Sequence, residues 1–384
     1  MNTPRPHGGR LIDRLLSENE RKRILSGETE LHQLVKREET LIDAANIAAG
    51  IFSPLEGFLR QDELTNTLNE RRLPDDTPWT IPVLLDISEN ESADLMEGDE
   101  CLVTGPQNNI TALLRIEEKY RFNKKEIAEK VFGTKDPQHP GVARTLNLED
   151  VFLGGDISLV EEEESTYDRF KLSPAETRIL FREKAWRTIV GFQTRNPPHL
   201  GHEWIQRTAL TFADGVFINP LIGKKKKGDF KDELILESYD RLIKDFFLRE
   251  RAVLSILRTD MKYAGPREAI HHAIMRKNFG CTHFIIGRDH AGVGSFYEPY
   301  AAQDMFEEFP DLGIVPMFFS SFFHCTRCGG IANEKTCPHD DQYHVKFSGT
   351  AIRECIERGD CPQKELMREE IAEILLADKN PFVE

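Results

Sequence analysis

The sequence predicts an α/β protein: a doubly wound parallel-sheet domain, preceded by a β-rich domain and followed by a small C-terminal one. Three observations predict it. Apolar strands and amphipathic helices take turns from residue 186 to residue 319, short β-rich runs dominate before residue 165, and a cysteine cluster followed by helical segments closes the chain. The expected domains are 1–165, 166–322 and 323–384, and 384 residues are enough to give each a core.

In the first domain, "WTIPVLLDIS" (79–88), "ECLVTG" (100–105), "NITALLRIEEKYRF" (109–122) and "DVFLGGDISLVE" (150–161) read as β-rich runs punctuated by Gly, Pro and Asn, with some helix near the start. The acidic "VEEEES" (160–165) is the expected linker, because adjacent carboxylates repel one another and resist packing. Just after it, "SPAE" (173–176) places Ser at an N-cap, Pro at the first helical position and Glu at the third, which starts a helix and the second domain. Strands are then expected at 186–192, 215–223, 251–257, 282–287 and 313–319. Helices are expected between them at 202–213, 232–247, 266–280 and 297–309. In a sheet of this kind, ligands bind beyond the carboxyl ends of the strands.

Composition excludes several classes. The net charge of −15 argues against a nucleic-acid binder, which needs a basic face. No apolar run approaches the roughly 20 residues of a membrane span, and the N-terminus lacks the apolar core of a secretory signal, so a cytoplasmic protein without membrane partners is expected. The dense basic run at 224–227 reads either as a solvated loop or as a basic rim near phosphates.

The segment "GFQTRNPPHLGHEWIQ" (191–206) sits where the first strand of the second domain becomes a helix. A helix N-terminus offers free N–H groups and partial positive charge, both of which favour an anion. His199 and His202, three residues apart, can point the same way, and Arg195 adds a planar cation suited to phosphate or sulfate. A second loop, "GRDHAGVG" (287–294), ends the fourth strand at the same sheet edge. There is no GxxxxGK[ST] segment, so phosphates are not held by a P-loop.

"QTRNPPHLGHE", "MKYAGPREAIHHA" and "GRDHAGVG" together resemble the ATP sulfurylase family, in its zinc-bearing bacterial type. The likeness extends to "PHGGRLIDR", "GIFSPLEGFL" and "FSGTAIRECIERG", so it covers nearly the whole chain, whereas the HxGH core alone belongs to nucleotidylyltransferases at large. The resemblance implies a Rossmann-like catalytic domain behind a PUA-like N-terminal one. It implies that Gln193 and Arg195 bind sulfate with Ala291, that Thr194, Arg195 and Asn196 form the catalytic group, and that His199 and His202 stabilise the triphosphate and leaving pyrophosphate. Gly287, Arg288, Asp289 and His290 would contact the nucleotide. ATP with Mg2+, sulfate, adenylylsulfate and pyrophosphate would be the ligands, and a homo-oligomer the assembly.

"CTRCGGIANEKTCPHDDQYH" carries Cys325, Cys328 and Cys337 with two histidines following, which is good spacing for a structural zinc site. His344 is preferred over His339 as fourth ligand, because its longer loop can fold back whereas His339 lies only two residues from Cys337. Against the family's usual Arg-Pro-Glu-Val, this chain has Arg368, Glu369, Glu370 and Ile371, which questions local packing only. No P-loop domain follows, so a fused adenylylsulfate kinase is not expected. Two other readings stay open: an adenylyltransferase acting on a phosphorylated or carboxylated acceptor, and a zinc-ribbon protein that senses nucleotide.

Overall fold

Residues 3–27, 30–106, 110–162 and 164–383 are described by the computed structural model of the chain. In the N-terminal domain, strands β1 (His32–Val35), β2 (Gly57–Phe58), β3 (Leu85–Ile87), β4 (Glu100–Thr104), β5 (Ile110–Arg115), β6 (Glu118–Tyr120) and β7 (Val151–Glu162) form one sheet. The long strand β7 is its axis and pairs antiparallel with β5, β2, β3 and β6. Pairing this dense needs glycine: a Cβ on Gly57 would lie 1.8 Å from the carbonyl oxygen of Gly155 on β7. Helices α1 (Glu18–Leu25), α2 (Glu38–Ala48), α3 (Gln61–Asn69), α4 (Glu89–Ala93), α5 (Lys124–Phe132) and α6 (Pro140–Leu146) complete the domain, more helix than the sequence suggested.

The expected linker is a correction. Residues 160–162 end β7 rather than leave the sheet, because each described carboxylate there finds a cation: Glu161 meets Arg21 at 2.6 Å, and Glu162 meets Lys171 at 2.6 Å and Arg258 at 3.2 Å. Pairing removes the repulsion on which the expectation rested. Glu163 lies outside the described residues, as does Asn109 of the run at 109–122.

Helix α7 (Pro174–Glu183) starts at the expected capping box, with Ser173 Oγ accepting from the Glu176 amide and the Glu176 carboxylate accepting from Ser173 N. The second sheet then holds β8 (Ile189–Thr194), β9 (Gly215–Ile222), β10 (Ala252–Leu254), β11 (Leu257–Arg258), β12 (His283–Ile286) and β13 (Val315–Phe318). All pairings are parallel, in the order β10-β9-β8-β12-β13 with β11 beside β9. The order in which successive strands are added reverses between β8 and β12. A crevice at that switch point is where open α/β sheets take their ligands.

Several element limits differ from expectation for local reasons. Strand β8 starts late because the Arg187 and Thr188 amides bond to the Asp214 carboxylate instead of a neighbouring strand. The single strand at 251–257 splits in two where the partner strand β9 carries Pro220, which has no N–H to give the ladder. The helix at 297–309 shrinks to α11 (Ala301–Met305) and a following 3-10 turn, since the Pro299 carbonyl accepts from the Asp289 amide. Helices α8 (Leu200–Leu210), α9 (Asp232–Phe246) and α10 (Pro266–Phe279) supply the other crossovers.

Helix α10 is buried along nearly its whole length and welds the two domains together. Its polar side chains meet main-chain groups of the N-terminal domain: Arg267 donates to the carbonyls of Thr67 and Leu68, and Asn278 to those of Ile51 and Ser53. Buried polar groups are tolerated when paired in this way.

The C-terminal part contains a three-stranded antiparallel sheet, β14 (Phe323–Cys325), β15 (Gly330–Ala332) and β16 (His344–Lys346), and helices α12 (Gly349–Glu357) and α13 (Glu369–Ala377). Arg368 caps α13 and forms two charge-assisted bonds, 2.6 and 2.7 Å, to the buried carboxylate of Glu203 on α8. The arginine that this stretch keeps from the family's Arg-Pro-Glu-Val therefore docks the C-terminal helix. Arg368→Ala is expected to cost about 3 kcal/mol of unfolding free energy by stranding part of a buried charge, checked by urea denaturation. The tail is strapped on as well: Gly228 N bonds to Val383 O, Val383 N to Asp229 O, and the Phe382 ring packs 4.8 Å from Phe230.

Candidate active site

The chain leaves β8 at Thr194, whose hydroxyl exchanges hydrogen bonds with the main chain of Asn196 and tightens the turn. Arg195 projects from that turn. Its Nη2 donates to Asp229 Oδ2 at 3.0 Å, its Nη1 donates to the Tyr263 hydroxyl at 3.1 Å, and its guanidinium lies 5.8 Å from the Tyr263 ring centre. Arg353 from α12 donates to Asn196 Oδ1 at 3.2 Å and lies 3.6 Å from Asp229 Oδ1. Asp229 thus sits between two arginines, one from the β8 turn and one from α12. The lysine run folds over the same place: Lys225 makes a 2.7 Å ion pair with Asp232, and Lys226 stands 4.1 Å above the Tyr263 ring. Lys225 and Lys226 thus pack beside the Arg195 turn, while Lys224, Lys226 and Lys227 stay exposed to solvent.

Tyr263 is held in an uncommon conformation, with φ 62°. The cause is Glu268, wholly buried on α10, whose two carboxylate oxygens accept from Lys262 N (2.8 Å) and Ala264 N (2.9 Å) and clasp the residue between them. From the N-terminal domain, His139 caps α6 by accepting the amides of Gly141 and Val142 at Nδ1. Its Nε2 therefore carries the proton and donates to Tyr263 O at 3.1 Å.

His199 is the N-cap of α8, its Nδ1 accepting from the His202 amide at 3.2 Å, which leaves Nε2–H as a donor. The two imidazoles stack 3.7 Å apart at 15°. Burial and the neighbouring His202 hold His199 well below the usual histidine range, and burial holds His202 down to about 4. Two rings this close cannot both carry charge, so the pair faces its ligand neutral and works by donating hydrogen bonds. Gln193 Oε1 and His202 Nδ1 are buried without a protein partner. Orphaned polar atoms at one sheet edge are what a ligand would satisfy.

In the second loop, Asp289 (φ 55°) and Ala291 (φ 58°) are left-handed without being glycine, a strain common at binding loops. The loop is tied to the Tyr263 turn by Gly265 N to Ala291 O at 3.1 Å. Arg288 and Asp289 are exposed, whereas the His290 ring bonds inward to His272 at 3.1 Å, and His272 lies 3.3 Å from Glu268. His290 thus offers a ligand its main chain rather than its imidazole.

The three predicted cysteines come together, but the histidine grouped with them is His339. Its Nδ1 lies 3.5, 3.3 and 3.7 Å from the sulfurs of Cys325, Cys328 and Cys337, and one donor atom from each of the four residues falls within 4.8 Å of the others. His344 reaches Cys337 at 3.5 Å, but turns its Nδ1 to Asp341 and stacks 3.6 Å from Phe323. The preference for His344 is corrected for a simple reason. Pro338 favours extended backbone before it, and in an extended chain residues two apart share a face, so the short spacing of His339 is no obstacle.

The structure therefore gathers Gln193, Thr194, Arg195, Asn196, His199 and His202 at the end of β8 and ties the loop 287–291 to the turn beside them. Asp229, Tyr263, Glu268 and Arg353 went unforeseen. Only the Gly-Asp ending of the lysine run hinted at Asp229.

A parallel sheet whose switch point carries a supported arginine, a histidine pair capping the first crossover helix and a strained glycine-rich loop defines an oxyanion-binding α/β protein behind a β-rich domain. The ATP-sulfurylase family model matches residues 168–378, and that of the PUA-like domain matches residues 4–162. Sulfate adenylyltransferases of Hyperthermus butylicus and Pyrococcus abyssi are each 51% identical to the chain over 380 residues, covering 99% of it and 97% and 99% of their own lengths. The chain belongs to the ATP-sulfurylase family. A solved hexameric APS kinase from Thiobacillus denitrificans shares the fold with TM-score 0.76 at 18% identity, over 98% of this chain and 68% of that one.

Proposed function

We propose that the chain transfers the adenylyl group of ATP to sulfate, releasing pyrophosphate, or runs the reverse reaction to make ATP. One observation carries this reading: Arg195, held from two sides by Asp229 and Tyr263, stands at the same turn as the stacked His199 and His202. A sulfate oxygen attacks the α-phosphorus in line, the bond to the β-phosphate oxygen breaks, and pyrophosphate departs. Sulfate is already an anion, so no proton has to be removed. Catalysis is positioning two repelling anions and neutralising charge as it develops.

In this reading Gln193 and Arg195, with the main chain at Ala291, hold sulfate; Thr194, Arg195 and Asn196 line the α-phosphate; and His199 and His202 donate to the leaving pyrophosphate. Residues 287–290 cover the nucleotide, and Mg2+ arrives with ATP. A cytoplasmic homo-oligomer is the expected setting. Pyrophosphate release measured with sulfate, molybdate and phosphoesters tests the assignment: release that ignores sulfate and follows a phosphoester would favour the other adenylyltransferase reading.

The fourfold donor set fits zinc. A tetrahedral ion bound at about 2.3 Å to sulfur and about 2.0–2.1 Å to imidazole nitrogen spaces sulfur and nitrogen roughly 3.5 Å apart, and the three distances to His339 centre on that value. Cys325, Cys328, Cys337 and His339 would then hold a structural ion away from the reacting atoms. Elemental analysis is expected to give about one zinc per chain, halved or worse in His339→Ala and retained in His344→Ala.

A further inference from the structure

We propose that Phe347 is a positioning residue that fixes the His199 imidazole, and that the Cys/His module is its mount. The Phe347 ring lies parallel to His199, 5.4 Å away at 4°; His199 in turn stacks on His202, and the edge of Phe192 closes the far side at 5.6 Å and 65°. His199 thus packs against two nearly parallel rings. The His199 ring's one hydrogen bond among the described residues, accepted at 3.2 Å from the His202 amide, leaves it free to tilt about that bond. The two flanking rings remove that freedom. Contact is close enough that a Cβ on Gly201 would come within 2.7 Å of Phe347 Cδ2 and 2.9 Å of the His199 ring.

Phe347 has a rigid base on both sides. It follows β16, which pairs residue by residue with β14 through Cys325 opposite His344 and Phe323 opposite Lys346. It precedes Ser348, which caps α12 by accepting the Ala351 amide, and α12 carries Arg353 to Asn196 and Asp229. The Cys/His module, the His199 ring and the helix that carries Arg353 therefore meet at Phe347. What stacking supplies is planarity: a flat ring restrains the tilt of its neighbour, whereas an aliphatic chain of similar volume fills space without doing so.

The proposal rests on the nucleotide reading above, and its test separates the two. The intact protein and its Phe347→Leu and Phe347→Tyr variants would be compared by steady-state kinetics, by calorimetric titration with a non-hydrolysable ATP analogue, and by thermal unfolding. Phe347→Leu is expected to raise both the KM and the Kd for nucleotide about tenfold with the KM for sulfate unmoved, and Phe347→Tyr to restore most of the loss. Phe347→Met, a second flexible chain without a flat ring, should produce the same selective loss, and it stands in if Phe347→Leu unfolds. A leucine variant that binds nucleotide like the wild type, or leucine and tyrosine variants equally impaired, would overturn the role of Phe347. A wild-type protein that binds no nucleotide would overturn the reading beneath it.

Discussion

Arg195→Ala is expected to lower sulfate-dependent turnover by about 10³-fold or more while the protein stays folded. The guanidinium projects from the β8 turn and is held there on two independent supports, the Asp229 carboxylate and the Tyr263 hydroxyl. Both reactants are anions, and their mutual repulsion must be offset where they meet; deleting a charge so placed in phosphoryl transfer costs about 10³–10⁵-fold. Stability should hardly change. The side chain is one-quarter exposed, and after its loss Asp229 still accepts from the Lys226 amide and faces Arg353. Partly exposed pairs contribute about 1 kcal/mol or less. Arg195→Lys should rescue little, because a point charge cannot bond to Tyr263, Asp229 and a ligand with one planar fork. Turnover near the wild-type level in the alanine variant, with an unchanged unfolding midpoint, would contradict the assigned role.

Acid should destabilise the fold steeply and early. Burial holds His7 and His202 down to about 4, and His271 and His290 down to about 3, against an ordinary value of 6.5. Between those values and 6.5 the unfolded chain binds more protons than the folded one. Stability that is fully present above pH 6.5 is therefore lost as pH falls toward the folded values. Each histidine contributes about 1.4 kcal/mol per pH unit. The buried carboxyls of Glu268 and Asp43, raised by burial, act in the opposite direction. A net uptake of about two protons on unfolding, or about 2.7 kcal/mol per pH unit between pH 6.5 and 5, is expected. Urea midpoints at pH 7, 6 and 5 measure it directly, and a flat or rising series would refute it.

Much of this was legible from local pattern. The capping box at Ser173, the turn from β8 into α8 and the cysteine spacing are rules about residues near one another in the chain, and such rules depend little on the rest of the fold. What escaped depends on distance. Tyr263 adopts its left-handed backbone because Glu268 clasps it and His139, more than a hundred residues upstream, braces it. Asp229 was hidden by four lysines whose charge suggested solvent, and Arg353 by an ordinary amphipathic helix. The polar residues of "PREAIHHAIMRKNF" look like a surface pattern, yet they are buried, because carbonyls of another domain accept what water otherwise would. His339 was passed over for a short spacing that extended backbone makes favourable.

The strap at residues 381–383 has a consequence for the stiffness of the site. The loop bearing Asp229 is braced by main-chain bonds to these residues, and through Asp229 so is Arg195. Local opening of three residues far away in sequence would loosen the guanidinium's mount while leaving the parallel sheet paired, so the rigidity of the turn is set partly at a distance.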